Sequence, residues 1–583
     1  MKSFRWLIFL YFYSTSLYAT QEFWVEATSK DIEKSATLSE STTLESTYKR
    51  ASNLELSSHL SNINNFSVFQ SGGVGKQTSF FLRGADSSFQ SLYLNDVEIE
   101  DPLNLNRSVQ LENFPSGLAD RTKVLKGPQP ILHSGRSLGG AIALETQVQN
   151  KTYADIGVGE NNTKSLDLSH GKKAETHSYI FKASSLSTDG ISAANDEKTP
   201  FAESDDFSRS SIYLEGELGE EKKLSVKSFY LKNNTAGGID SFGPIDNKSP
   251  RSTSRYELLS VQLKKKTQDN RHKIKLFLNH KESFRDSNGS RFHGESYQAQ
   301  IKSFSIQTEN IFLFAGGSFS KEKPISNSQG LSSSLDSADL YLNSIIKIQN
   351  AHLEIGAKEK FVDSIDNDLL FHSRIRYLLE PIKTELYLSY SENNFTPSLY
   401  QLYDKTYGDT DLKPTTTQSY EIGFNIMKKT KLHFFMQNYD NMILFGSSYY
   451  NSAEPTQIKG AEIENILALS QNFIFKNSFT SLRAIKKTCG QYLERRPQIS
   501  LSNELIYQDD RYYQSLRHQY IGERNDSGRL PSYSLFSLDY QYQYSKSFSF
   551  GATLENFLNK KYEQVRGFGT YGRTAYLKMR ASI

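Results

Sequence analysis

The last ten residues, Thr574 to Ile583, alternate without a break. Ala575, Leu577, Met579, Ala581 and Ile583 share one parity. Thr574, Tyr576, Lys578, Arg580 and Ser582 share the other. Strand side chains point to opposite faces with period two, so this segment is a strand with one apolar face and one polar, charged face. The two apolar-polar segments before it repeat the pattern. Phe536, Leu538, Tyr540, Tyr542 and Tyr544 alternate with Ser537, Asp539, Gln541 and Gln543. Phe548, Phe550, Ala552 and Leu554 alternate with Ser549, Gly551, Thr553 and Glu555. About ten residues is the length a tilted strand needs to cross a bilayer. A soluble antiparallel sheet with one wet face has the same periodicity and remains an alternative. Full charges on the polar face suit a hydrated lumen, and the repeated Tyr and Phe suit interfacial girdles.

The amino terminus carries an address. Lys2 and Arg5 precede the apolar run Trp6 to Tyr13, and Leu17-Tyr18-Ala19 ends on a small residue. This is the plan of a secretory signal peptide cleaved after Ala19. A buried amino-terminal helix is the alternative. Beyond Thr20 no stretch reaches the ~18 apolar residues of a transmembrane helix. Mean hydropathy of −0.56 agrees. An exported chain of this kind enters a membrane only as a barrel.

Composition narrows function. With 68 Lys+Arg against 65 Asp+Glu, charge gives no case for nucleic acid. The single Cys489 excludes a disulfide framework and Cys-cluster metal sites. Gly72-Gly73-Val74-Gly75-Lys76-Gln77-Thr78 fails as a phosphate loop, because Gln70 and Gln77 stand where Gly and Ser/Thr are required. Neither a zincin pattern nor a nucleophile elbow is present. No enzymatic chemistry is indicated.

The chain divides into residues 1–19, an extended arm at 20–30, a Gly-rich mixed α+β domain at 31–148, and the alternating remainder at 149–583. About 22 strands in that remainder would leave roughly ten residues per strand and ten per connection.

Several segments resemble the TonB-dependent outer-membrane receptor family. They are Phe81-Leu82-Arg83-Gly84, Leu92 to Val97, Val124-Leu125-Lys126-Gly127-Pro128, Ile131 to Gly135 and Leu138-Gly139-Gly140-Ala141-Ile142. In the second half they are Phe395 to Leu399, Asp411-Leu412-Lys413-Pro414, Tyr420 to Gly423, and Asn556 to Tyr562 with Gly572-Arg573. Asn95-Asp96 stands where Asp-Gly is usual, Lys123 where an acid is usual, and Ile583 where an aromatic is usual. The resemblance implies a membrane all-β fold: a 22-stranded antiparallel transmembrane β-barrel with the α+β plug domain inside its lumen. It also implies a monomer in outer-membrane lipid that imports a scarce nutrient with energy from TonB. Tyr439 to Ile443, Ile458 to Glu462 and Thr188 to Ala194 resemble the cobalamin-receptor branch, which implies a corrinoid ligand. Alternatives are a ferric siderophore or haem receptor, a passive porin, and a secreted β-rich adhesin.

The resemblance further implies three candidate sites. Glu22, Phe23, Trp24, Val25, Glu26, Ala27 and Thr28 lie at the position of the TonB box, which binds by adding a strand to a partner's sheet edge; an ordinary disordered terminus is the alternative. Gln70, Ser71, Gly72 and Gly73, with Phe89, Gln90, Ser91 and Leu92, are candidates for the ligand-facing plug apex. Asp189, Asp196, Glu203, Asp205 and Asp206, with Glu197, Asp240 and Asp246, could gather calcium, which takes six to eight oxygens from flexible segments; a solvated acidic loop is the alternative.

Overall fold

The computed structural model describes the backbone of residues 41–45 and residues 50–583, apart from 62, 64–65, 102–103, 130–135, 196–202, 221–222, 241–249, 270 and 328–329. The leader, the arm with Glu22 to Thr28, and Asp196, Glu197 and Asp246 lie outside the described residues.

Alternation dictates the larger element. Twenty-two antiparallel strands, from Lys151–Gly159 to Thr574–Ser582, close into a barrel. The last strand pairs with the first, Tyr576 opposite Gly159 and Ser582 opposite Tyr153. Arg580 clamps that seam with two hydrogen bonds of 2.6 Å to the Asp155 carboxylate. The closed ring leaves no unpaired edge, which is what backbone in hydrocarbon requires. Among the described residues no helix is long and apolar enough to cross a membrane; strands do the crossing.

The two faces separate as the sequence indicates. In the last strand Leu577 and Met579 face outward while Tyr576 is buried inside. In His272–Ser287, Ile274, Leu276 and Leu278 are exposed, and Lys275, Phe277, Asn279 and Lys281 are buried. Such a stripe in water would be an aggregation surface; in lipid it is the solvated face. The two ends of the barrel also differ. Connections 174–176, 309–310, 349–350 and 427–429 are short turns on the end that holds the last residue. Connections 189–206, 396–414, 441–455 and 556–573 on the other end are long. Short turns mark the periplasmic side and long loops the cell surface.

The plug contributes β1 (Ser41–Glu45), β2 (Phe66–Gln70), β3 (Thr78–Leu82), β4 (Gln90–Leu94), β5 (Val97–Ile99), β6 (Arg121–Lys126) and β7 (Gly140–Glu145). The sheet order is β1-β6-β7-β4-β5, with β4 and β7 parallel, and β2-β3 form a separate hairpin. The β4-β5 turn takes positive φ at both Asn95 (48°) and Asp96 (72°). Asn and Asp tolerate this left-handed region, so the turn forms without the usual Gly.

The plug sits inside the barrel, held by apolar contacts and ion pairs together. Toward one wall, Leu56, Phe80, Leu92, Leu94, Leu111 and Ile142 share a core with the inward Tyr213, Phe229, Leu231, Leu258 and Phe277. Each such side chain contributes roughly 1.5–3 kcal/mol. Ion pairs are set among these apolar contacts on the same wall, Asp120 with Lys182 (2.7 Å), Asp96 with Lys275 (2.8 Å) and Glu100 with Lys281 (2.6 Å), and Arg50 pairs with Asp539 on another strand. These lumen charges are therefore partners of the plug, while others, such as Arg374 with Glu354, pair within the barrel wall.

Glu112, in the single 3-10 turn Leu111–Asn113, is buried in the plug. Burial pushes its carboxyl up to about 8, and Glu55 adds to the shift. A carboxyl whose folded pKa is raised binds its proton more tightly when folded. Its stabilisation is complete below the ordinary carboxylate range and is lost as pH rises toward 8. Plug stability, measured by thermal unfolding in detergent, is expected to fall by up to about 1.4 kcal/mol per pH unit across that window. Glu112→Gln should flatten the dependence; an unchanged slope would assign it to other groups.

Candidate functional site

The plug apex is the turn Ser71 to Gln77 between β2 and β3. Its glycines are set by close approach. A Cβ at Gly73 would lie 2.7 Å from the Tyr571 hydroxyl, and one at Gly75 (φ 82°) would lie 2.1 Å from the Phe207 ring. The Gln70 N–H donates to Gln564 (2.8 Å), and the Gln70 side-chain amide donates to Glu55 (2.9 Å). The Gly75 N–H donates to the same Glu55 carboxylate at 2.6 Å. Burial raises the Glu55 carboxyl, and Arg209 opposes that shift. Gln70, Ser71, Gly72 and Gly73 thus lie directly beneath the surface loops. Phe89 also reaches the wall, its ring 5.4 Å from Tyr439 and 5.5 Å from Phe395. Gln90, Ser91 and Leu92 do not join them: they are buried in β4, with Leu92 in the plug core.

Of the acidic candidates, the structure brings together Glu203, Asp205 and Asp240, with ligand oxygens within 4.8 Å of one another. Asp205 accepts from the Ala193 N–H (2.7 Å) and Asp240 from the Ala194 N–H (2.6 Å). Asp206 turns away into a two-pronged pair with Arg251, at 2.9 and 2.8 Å, and those hydrogen bonds lower its carboxyl. Asp189 is exposed and outside the group. Three carboxylates are hard oxygen donors of the kind calcium takes, and water or carbonyls must supply the rest.

Sequence reasoning missed the cation beside this group. Lys76, buried at the plug apex, donates to the Gly238 carbonyl (2.6 Å) and the Asp206 carbonyl (3.2 Å). It ties two surface loops to the plug. Burial lowers its pKa, and Asp205, Asp206 and Asp240 oppose that. Its partners lie 130 and 162 residues away, so no local pattern announces it.

An aromatic series was also missed. Phe292, Tyr400, Tyr449, Phe445 and Tyr407 follow one another with ring centroids 5.0–6.0 Å apart. Phe445 and Tyr407 are exposed. Such rings offer large, rigid apolar area to a bulky ligand.

Deeper, two plug cations face three barrel acids. Arg83 lies 2.6 Å from Glu421 and 3.1 Å from Glu462, with its guanidinium 4.7 Å over the Phe435 ring. Lys126 pairs with Glu464 and lies 3.6 Å from Glu462. All five are buried. Arg83 (φ 53°) and Gly84 (φ 78°) form the tight reversal after β3.

A closed lipid-facing barrel whose lumen is stopped by a separately folded domain, with loops gathered over the stopper, defines a gated outer-membrane receptor. The chain matches the model "TonB dependent receptor-like, beta-barrel" over residues 142–557 and the "TonB-dependent Receptor Plug Domain" over 33–141. It belongs to the TonB-dependent receptor family, whose members are receptors and transporters of the outer membrane. It is 23% identical to the vitamin B12 transporter BtuB of Vibrio cholerae, covering 88% of this chain and 87% of that one. The corresponding protein of Vibrio vulnificus is 22% identical, over 86% and 84%. Among solved structures, the ferric enterobactin receptor PfeA of Pseudomonas aeruginosa superposes with TM-score 0.81 at 14% identity, covering 95% and 99%. The siderophore receptor PirA of Acinetobacter baumannii does so with TM-score 0.81 at 13%, covering 93% and 98%. These structural likenesses share the fold.

Proposed function

We propose that this chain imports a corrinoid across the outer membrane in a TonB-driven cycle. The observation that carries the reading is similarity to vitamin B12 transporters along nearly the whole chain. Three features of the chain support it. The rings from Phe292 to Tyr407 offer apolar faces for a large ligand. Glu203, Asp205 and Asp240 would hold calcium, which would order the loops 189–206 and 239–250 around the ligand. Glu22 to Thr28 would add a strand to TonB, and force on that arm would loosen the plug.

Purified protein is expected to bind cobalamin, more tightly with calcium than after chelation. Binding only to members of a ferric siderophore panel would replace the corrinoid with a siderophore and leave the architecture unchanged. In cells, deletion of residues 22–28 is expected to reduce energy-dependent uptake to the passive background. Surface binding should stay within about twofold, because the deleted segment includes none of the residues at the plug apex, in the aromatic series or in the acidic group. Uptake that survives the deletion would remove the arm from the coupling step.

A further inference from the structure

The outer face of the barrel carries a concavity of about 1090 Å³ that belongs to neither the lumen nor the loop vestibule. Strand register explains it. One row of outward residues runs Leu388, Ile422, Phe434, Ala461, Ser481 and Ile499 across six consecutive strands. All six members of such a row would normally present bulk to lipid. Here the two small residues, Ala461 and Ser481, make a dent walled by Phe434 on one side and Ile499 on the other, both exposed.

Directly above the dent, two residues nearer the loop end, Lys459 stands opposite Arg483. Both line the concavity and both are exposed. They lie three residues inside the ends of their strands, which stop at Thr456 and Lys486. Like charges directly opposite on a sheet destabilise it. Cations on a lipid face are costly at mid-bilayer and tolerated near the interface. Among the described residues, neither Lys459 nor Arg483 forms an ion pair. The arrangement is two adjacent cations at the cell-surface rim of an apolar trough, facing outward where lipid surrounds the barrel.

We infer that this trough binds one phosphorylated, multiply acylated lipid of the outer leaflet, its phosphate between Lys459 and Arg483 and an acyl chain against Ala461 and Ser481. Charge complementarity selects the headgroup, since a phosphate relieves the repulsion between the two cations. The dent selects a chain, since acyl carbon fills the space that Phe434 and Ile499 leave between them. The site faces away from the plug, so it is independent of the transported ligand.

The test is native mass spectrometry of the full mature protein released from detergent, titrated with bis-phosphorylated lipid A. The wild type should retain one lipid. The double variant Lys459→Gln/Arg483→Gln should bind at least about tenfold more weakly, from two charges lost near the headgroup. Ala461→Phe, which fills the dent and keeps both charges, should weaken binding comparably. Dephosphorylated lipid A should bind as weakly to the wild type as the phosphorylated lipid does to the double variant. Millimolar inorganic phosphate should not displace the lipid. Wild-type affinity in either variant would overturn the proposal, as would equal binding of dephosphorylated lipid A or displacement by inorganic phosphate. Heat-modifiable gel mobility of the barrel confirms that each variant is folded.

Discussion

Glu462→Ala is expected to loosen the plug while leaving the barrel folded. Glu462 is fully buried between two plug cations, 3.1 Å from Arg83 and 3.6 Å from Lys126. Without it, the two cations retain only Glu421 and Glu464, and each is still enclosed. Removing one partner of a buried ion pair leaves an uncompensated charge and costs about 3–5 kcal/mol. That cost falls on the contact between plug and wall, because the barrel's own strand pairing around Glu462 is unchanged. Amide exchange in β3 and β6, which carry Arg83 and Lys126 at or beside their ends, should rise by at least a hundredfold, the equivalent of about 3 kcal/mol. Cells carrying the variant should also become sensitive to large antibiotics that the closed plug excludes. The triple variant Arg83→Met/Glu421→Leu/Glu462→Leu, which leaves Lys126 paired with Glu464, should recover at least half of the lost protection, because replacing a buried ion cluster with apolar groups of similar volume is often neutral. If the single variant exchanges like the wild type, the ion cluster does not seat the plug.

The prediction has a mechanical reading. The apolar core of the plug, from Leu56 to Ile142 against Tyr213 and Phe277, is non-directional, although ion pairs such as Glu100 with Lys281 sit on the same wall. Its free energy scales with the area kept from water, so small displacements lose little. Ion pairs are different. Short ion pairs such as Arg83 with Glu421 lose most of their energy over a few ångströms, and water can then solvate both ions. The cluster of Glu421, Glu462 and Glu464 with Arg83 and Lys126 is therefore the contact expected to weaken first when the plug is displaced.

Much of this architecture is legible in the sequence, and physics separates what is from what is not. Period-two alternation is local, so the strand Thr574–Ser582 and its outward Leu577 and Met579 can be read directly. The Arg83-Gly84 reversal is also local, and family resemblance marks it. The acids that meet it are not local. Glu421 and Glu462 occupy inward positions like many others, and their pairing with Arg83 spans 338 and 379 residues. The acidic loop shows the same limit. Asp205 and Asp206 are neighbours with equal claims on the sequence. The chain direction sends Asp205 toward Ala193 and Asp240, and gives Asp206 to Arg251 at the start of a strand two places along. Ser91 and Leu92 look like apex residues until the parallel pairing of β4 with β7 buries them. Long-range pairing decides each of these outcomes, and such pairing is invisible to a window of ten residues.

Lys76→Met should separate the surface loops from the plug and make their order depend on divalent cations. In the native protein the ammonium donates to the carbonyls of Gly238 and Asp206, one at the end of a barrel strand and one at the end of the loop before another. It also places a positive charge beside Glu203, Asp205 and Asp240. Methionine keeps the length of the side chain and removes both functions. With chelator present, three carboxylates then face one another without that cation, and protection of residues 189–195 and 203–206 should fall by about tenfold or more. With millimolar calcium, protection should return, and calcium should bind roughly tenfold more tightly than to the wild type, because a competing like charge has been removed. Lys76→Arg keeps the charge and the donors and should resemble the wild type in chelator, within the limits of the close fit around Gly72, whose added Cβ would lie 3.0 Å from the Lys76 side chain. Hydrogen exchange of the loops and calorimetric titration with calcium read the two effects separately. Loops that stay protected in Lys76→Met without calcium would show that the acidic group is held by its own N–H contacts from Ala193 and Ala194, and that the lysine is only a spacer at the apex.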